Sequence, residues 1–76
     1  MNEATQKEAQ KLDRALVRIN RAIERGIVKL QELKEYYEHS ESEECAQRIS
    51  REIKSIATDR VRREDTLEKR VKLNKA

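Results

Sequence analysis

The sequence predicts an all-α fold: a long antiparallel helical hairpin, or two-helix coiled coil, that dimerises into a four-helix bundle. Its composition is typical of long helices, since 43% of the 76 residues are charged, 3% are aromatic, none is proline and one is glycine. Apolar residues recur at steps of three and four in both halves of the chain. A short polar stretch at residues 39–44 separates these two runs, which together form a single predicted domain spanning residues 1–76.

The first helix is predicted at about residues 4–38. Its apolar positions keep the heptad spacing without a gap, and Gly26 is the one position of this seam without an apolar side chain. The seam consists of Leu12, Leu16, Ile19, Ile23, Gly26, Leu30, Leu33 and Tyr37. A capping-box pattern at Thr5–Glu8 suggests where the helix begins. Because glycine weakens a helix, an alternative is a break at Gly26 and a bundle of three shorter helices.

The turn is predicted at about residues 39–42 and the second helix at about residues 43–74. Ser40 or Ser42 is expected to cap this helix, followed by acidic residues that suit its positive end. Its apolar face comprises Ala46, Ile49, Ile53, Ile56 and Ala57. After a nearly polar stretch, Leu67 and Val71 resume the pattern, which predicts a one-step phase change near residues 57–61.

The two seams match when the chain folds back on itself. The predicted pairs are Leu30 with Ile53, Leu33 with Ile49, Leu16 with Leu67, Leu12 with Val71, and Gly26 with Ala57. A two-helix core this small usually needs further apolar burial to be stable. Several apolar residues lie beside or off the seam: Ala22, Ile27, Val28, Tyr36 and Val61. We therefore expect the hairpin to self-associate, with a dimer favoured. The predicted interface residues are Leu12, Leu16, Ile19, Ile23, Leu30, Leu33, Tyr37, Ile49, Ile53, Ile56, Leu67 and Val71.

No pattern of catalytic residues is recognisable, so the expected function is non-enzymatic, without a cofactor or a small-molecule substrate. His39 and Cys45 lie near the turn with Glu35 one helical turn earlier, but their spacing is not that of a zinc site, and no metal is expected. The single cysteine fits a reducing compartment. Without a signal peptide or a long apolar run, the protein is expected to be cytoplasmic and not to bind membranes.

Six basic residues form a second stripe along the first helix, opposite its apolar seam: Lys7, Lys11, Arg14, Arg18, Arg21 and Arg25. A solvated face explains charged residues there, but not the like-charge pairs four residues apart, which destabilise a helix. Arginine also pairs well with phosphate. The stripe is therefore a candidate surface for nucleic acid or another acidic partner.

Charge is also unevenly distributed along the predicted hairpin. Residues 7–25 carry +3 and residues 60–76 carry +4, whereas residues 26–48 around the turn carry −3. Self-association through the apolar seam is the leading hypothesis, and two antiparallel hairpins would place basic ends beside acidic turns. The alternatives are a small regulatory protein that binds the backbone of RNA or DNA, a hairpin that docks on a larger protein partner, and a designed helical bundle.

Overall fold

The computed structural model consists of two long helices, α1 (Glu3–Ser40) and α2 (Glu43–Lys75), and describes residues 3–40 and 42–75. The helices pack side by side in an antiparallel rod with dimensions of 57 × 14 × 13 Å. Cys45 contacts Leu33 near the turn, and Arg70 contacts Asp13 near the open end. The predicted all-α helical hairpin is thus confirmed.

Helix α1 is continuous through Gly26, so the chain does not form three shorter helices. Its face towards α2 contains the buried residues Ala9, Ile23 and Gly26, with half-buried leucines between them. The helix begins at Glu3, so the pattern at Thr5–Glu8 lies inside the first two turns and not at the cap. Hydrophobic spacing thus identified the inward face of α1, whereas the capping pattern did not identify its start.

Ser42 forms the N-terminal cap of α2. Its Oγ accepts a hydrogen bond from the backbone N–H of Cys45 at 3.0 Å, and its carbonyl oxygen accepts one from the N–H of Ala46 at 3.1 Å. The Cys45 side chain is only 3% exposed, and its Sγ donates to the carbonyl oxygen of Leu33 at 3.4 Å. The cap and the buried thiol together fix the start of α2 against the end of α1.

Helix α2 keeps one register along its whole length, and the predicted phase change near residues 57–61 does not occur. From Ser42 onwards, the inward positions recur at steps of three and four: Ser42, Cys45, Ile49, Glu52, Ile56, Asp59, Arg63, Thr66, Arg70 and Leu73. The second half of this sequence is mostly polar. A helix without a break cannot move its contact stripe, so residues beyond Ile56 face α1 whatever their polarity.

This register corrects three of the predicted seam positions. Ile53, Leu67 and Val71 are 49%, 44% and 50% exposed, so they do not fill the space between the helices as predicted. Tyr37 is also exposed at the turn end, whereas Ile23 is buried. The other predicted interface residues are half-buried: Leu12, Leu16, Ile19, Leu30, Leu33, Ile49 and Ile56.

Gly26 faces Ile56 and Glu52, and not Ala57 as predicted. A Cβ atom built on Gly26 would lie 2.8 Å from Cγ1 of Ile56 and 3.2 Å from Oε1 of Glu52. The absence of a side chain therefore allows Ile56 to approach the backbone of α1. Close packing at Gly26 was predicted correctly, but the residue that packs there is Ile56 and not the adjacent Ala57.

The hairpin encloses a very small core. Among the described residues, only three hydrophobic side chains are less than a tenth exposed: Ala9, Ile23 and Cys45. The accessible surface is 6312 Å², whereas a compact monomer of 9.0 kDa exposes about 4,900 Å². The radius of gyration is 17.2 Å, against about 11 Å for a compact chain of this length. Neither described helix has the length and apolarity that crossing a bilayer requires.

Candidate interaction surfaces

Polar side chains hold the open end of the hairpin together. The Nε of Arg70 donates to Oδ1 of Asp13 at 2.9 Å, and its Nη1 donates to Oδ1 of Asn74 on the same helix. One heptad towards the turn, Nη1 of Arg63 donates to Oδ1 of Asn20 at 3.4 Å. Two arginines thus occupy inward positions of α2 and reach polar groups at the edge of α1, where the sequence analysis had placed apolar pairs.

The seam is also partly charged near its middle. Glu52, whose side chain is 17% exposed, forms an ion pair with Lys29 across the hairpin, with Nζ and Oε2 separated by 3.6 Å. Asp59 is 20% exposed and lies 3.9 Å from Nη1 of Arg62. Polar groups therefore extend from the middle of α2 to its end. This polar half of the seam can be found in the sequence by continuing the spacing of Ile49 and Ile56.

One side of the hairpin carries an apolar surface that extends over both helices. With the seam at heptad positions a and d, Ile27, Ile53 and Leu67 occupy e positions, and Val17 and Val71 occupy the adjacent b positions. In an antiparallel hairpin the e positions of both helices lie on the same side. A shallow groove there is lined by four apolar residues, Leu30, Ile53, Ile56 and Ala57, and by three charged ones, Arg60, Arg63 and Glu64. We name Val17, Ile27, Ile53, Leu67 and Val71 the lateral apolar face.

The opposite side of the hairpin is more polar. A second shallow groove runs along it, lined by Ala15 and Ala22 of α1 together with Asp59, Arg62 and Lys69 of α2. Nearer the turn, Tyr36 is the large exposed hydrophobic residue of this side. The two long sides therefore differ in chemistry, and the lateral apolar face has the greater share of exposed aliphatic side chains.

The predicted basic stripe lies on the outer surface of α1. All six members are exposed: Lys7, Lys11, Arg14, Arg18, Arg21 and Arg25. Within the described part of the chain, none of them forms an ion pair. The acid Asp13, which flanks the stripe, is instead paired with Arg70. Val17 of the lateral apolar face borders this stripe and lines a shallow groove with Lys11, Arg14, Arg18 and Arg21.

Near the turn, Cys45 and His39 lie in different environments. Cys45 is buried against the carbonyl oxygen of Leu33, and His39 is exposed. Over residues 3–40 and 42–75, no group of three or more histidine, cysteine, aspartate or glutamate side chains is placed to hold a metal ion. The surfaces described above are consequently the candidates for function.

Comparisons with protein-family models, with curated proteins and with solved structures find no match to this chain.

Proposed function

We propose that this chain is a non-enzymatic interaction module whose hairpins self-associate as a dimer, forming a four-helix bundle. The observation that carries the proposal is the small core: only Ala9, Ile23 and Cys45 are buried hydrophobic residues among those described. Over residues 3–40 and 42–75, nine large hydrophobic side chains are exposed on the isolated hairpin, where neither helix covers them. A four-helix bundle is the usual way to bury a second stripe of each helix.

The surface area supports the same proposal. The hairpin exposes 6312 Å², about 1,400 Å² more than expected for a compact monomer of its mass. A standard protein–protein interface buries about 800 Å² on each partner, and obligate dimers bury more. A standard interface would therefore remove about 800 Å² of the excess, and an interface of the size found in obligate dimers is large enough to remove all of it.

Sedimentation equilibrium over a range of chain concentrations tests this proposal, with circular dichroism recorded on the same samples. We expect a helical species of about 18 kDa, twice the 9.0 kDa of the single chain, that dissociates and loses helicity together on dilution. A stably folded species of 9.0 kDa at every concentration up to the millimolar range would contradict self-association. That result would favour docking on a larger protein.

A second candidate function is binding of RNA or DNA through the basic stripe. It is supported by six exposed cations without an acidic partner among the described residues. The stripe extends from Lys7 to Arg25, which corresponds to about 27 Å along a helix. If all six cations neutralise phosphates of duplex DNA, the affinity falls about 10³-fold between 50 and 200 mM salt.

Binding to mixed-sequence RNA and DNA at these two salt concentrations tests the second candidate. The combined changes Arg14→Glu, Arg18→Glu and Arg21→Glu are expected to abolish binding while helicity is retained. The matched control reverses three exposed cations on the outer side of α2: Arg51→Glu, Lys54→Glu and Lys75→Glu. Equal loss of binding in both triple variants would mean that net charge alone is responsible and that the stripe has no special role.

A further inference from the structure

From the arrangement of the lateral apolar face, we infer that a second copy of this chain covers it in antiparallel orientation, with α1 on α1 and α2 on α2. This inference rests on the proposed self-association and specifies its surface and its direction. Of the nine large hydrophobic residues exposed in the described chain, five belong to this one face. The other four, Val28, Tyr36, Tyr37 and Val61, are distributed over the remaining surfaces.

The lateral apolar face contains two patches at different heights along the hairpin. Facing residues have numbers that add up to 82 for Gly26 and Ile56 and to 83 for Asp13 and Arg70. By this register, Ile27 and Ile53 lie at nearly the same height. Val17 and Leu67 also lie at nearly the same height, closer to the open end by ten residues along α1 and fourteen along α2, or about 15–21 Å.

These two patches are related by a single two-fold axis. The midpoint of Val17 and Ile27 is residue 22 of α1, and the midpoint of Ile53 and Leu67 is residue 60 of α2. Residues 22 and 60 lie at the same height, because their numbers add up to 82 like those of Gly26 and Ile56. A two-fold axis at this height therefore places Ile27 on the partner's Val17 and Ile53 on the partner's Leu67, which makes four of the five residues of the face self-complementary.

Charge selects this antiparallel orientation over a parallel one. A parallel dimer would also bring apolar residues together, but it would place two basic open ends side by side. The segments 7–25 and 60–76 at that end carry +3 and +4, whereas segment 26–48 around the turn carries −3. In the antiparallel dimer each basic end lies beside the partner's acidic turn, which is the favourable arrangement.

Polar residues near the proposed axis are compatible with the same arrangement. Asn20 lies opposite the partner's Glu24, where an amide and a carboxylate can form a hydrogen bond. The two copies of Arg60 approach each other at the axis, and each lies about one helical turn from the partner's Glu64. An Arg–Glu pair on either side then offsets the repulsion between the arginines.

Glutamate substitutions on and off the face test which surface is used. Ile53→Glu and Leu67→Glu each place a charge in the inferred interface, and the dissociation constant of the dimer is expected to rise about 100-fold or more. Val28→Glu and Val61→Glu are controls, because both valines are slightly more exposed than Ile53 and Leu67 but occupy the outer surfaces of α1 and α2. The controls are expected to change the dissociation constant by less than about threefold. Equal effects in all four variants would overturn the assignment of the face.

Disulfide trapping tests the orientation and works even where a glutamate variant is unfolded. Every chain carries Cys45→Ala, which leaves the introduced cysteine as the only thiol. A mixture of Val17→Cys and Ile27→Cys chains is expected to form the mixed disulfide rapidly under mild oxidation. A mixture of Val17→Cys and Leu67→Cys chains is the matched control, and rapid cross-linking there would identify a parallel dimer and overturn the inferred orientation.

The two experiments separate this inference from the proposal on which it rests. A chain that is folded and monomeric before any substitution refutes self-association itself. A dimer that is insensitive to Ile53→Glu and Leu67→Glu, or that cross-links in the parallel mixture, leaves self-association intact and refutes the face or its direction.

Discussion

Gly26 and Ile56 determine how closely the two helices approach at the middle of the hairpin. Cγ1 of Ile56 occupies the space next to the glycine Cα, so that a Cβ atom there would be 2.8 Å away. Isoleucine is branched at Cβ and has few rotamers in a helix, which leaves it little freedom to move aside. The glycine is therefore part of the packing, although it weakens α1 locally.

Gly26→Ala is expected to lower the free energy of unfolding by about 1 kcal/mol. Overpacking costs about 1–3 kcal/mol, and the better helix propensity of alanine returns about 1 kcal/mol. In an Ile56→Ala background the clash is absent, so the same change should raise the free energy of unfolding. Urea denaturation of the native chain, the two single variants and the double variant, all at one chain concentration, gives the coupling free energy between positions 26 and 56. A stabilising effect of Gly26→Ala in the native background would contradict the close packing.

Ser42→Ala is expected to lower the free energy of unfolding by about 1 kcal/mol, because the N–H of Cys45 loses its acceptor. Ser42→Gly should cost only a few tenths of a kcal/mol, since glycine is tolerated at this position. Ser50→Ala is the internal control: Ser50 is exposed inside α2, and alanine should be neutral or stabilising there. Equal losses for Ser42→Ala and Ser50→Ala in thermal denaturation would argue against the cap.

Asp13→Asn is expected to lower the free energy of unfolding by about 0.5–1 kcal/mol at low salt and by less in 1 M salt. The reason is the 2.9 Å ion pair with Arg70, whose side chain is 25% exposed. Glu68→Gln removes a comparison pair with Lys72, which is longer at 3.6 Å and more exposed. The loss of unfolding free energy in Glu68→Gln should be smaller than that in Asp13→Asn at both salt concentrations. A larger loss in Glu68→Gln would mean that the ion pair between Asp13 and Arg70 contributes little.

Thr66→Leu is expected to raise the free energy of unfolding by about 1 kcal/mol, because it adds apolar area at an inward position of the polar half-seam. Thr58→Leu is a close control. Both threonine hydroxyls donate to the carbonyl oxygen four residues earlier, but Thr58 is exposed. The control should gain only a few tenths of a kcal/mol from helix propensity. Equal gains in urea denaturation would show that position 66 does not face α1.

Arg14→Glu is expected to raise the helicity and the free energy of unfolding, by about 0.5 kcal/mol. It replaces a like-charge pair with Arg18 by an attractive one in the favoured order, with the acid nearer the N-terminus. If the stripe binds nucleic acid, the same variant should bind RNA and DNA more weakly. A loss of stability would show that the six cations do not repel one another appreciably.

The sequence was sufficient to predict the hairpin and the inward face of α1. In that helix most apolar residues form a single stripe, so Ile23 and Leu30 were expected to pack against α2, as they do. The inward face of α2 was harder to predict, because in its second half the apolar residues lie on one side of the helix while mostly polar residues occupy the side that faces α1. Hydrophobic spacing favours Leu67 and Val71 for the seam, whereas the continuous register of α2 places Arg63 and Arg70 there.

The candidate surfaces were predictable to different degrees. The exposure of the basic stripe follows directly from its position opposite the apolar seam, and Arg14 and Arg18 lie where the heptad places them. The lateral apolar face was not predicted, because Leu67 belongs to it only if α2 keeps its register through the polar stretch. Hydrophobic spacing reveals which residues share a stripe, but it does not reveal which partner each stripe meets.

Because the seam is polar beyond Ile56, the two ends of the hairpin are expected to open at different rates. Residues 59–73 have few apolar contacts with α1, so their backbone amides should exchange with deuterated solvent sooner than those of residues 45–56. The single chain would then separate from its free ends and stop at the turn. If two copies form the inferred antiparallel dimer, the more apolar half of each hairpin would lie on the more polar half of the other, and each copy would slow the opening of its neighbour.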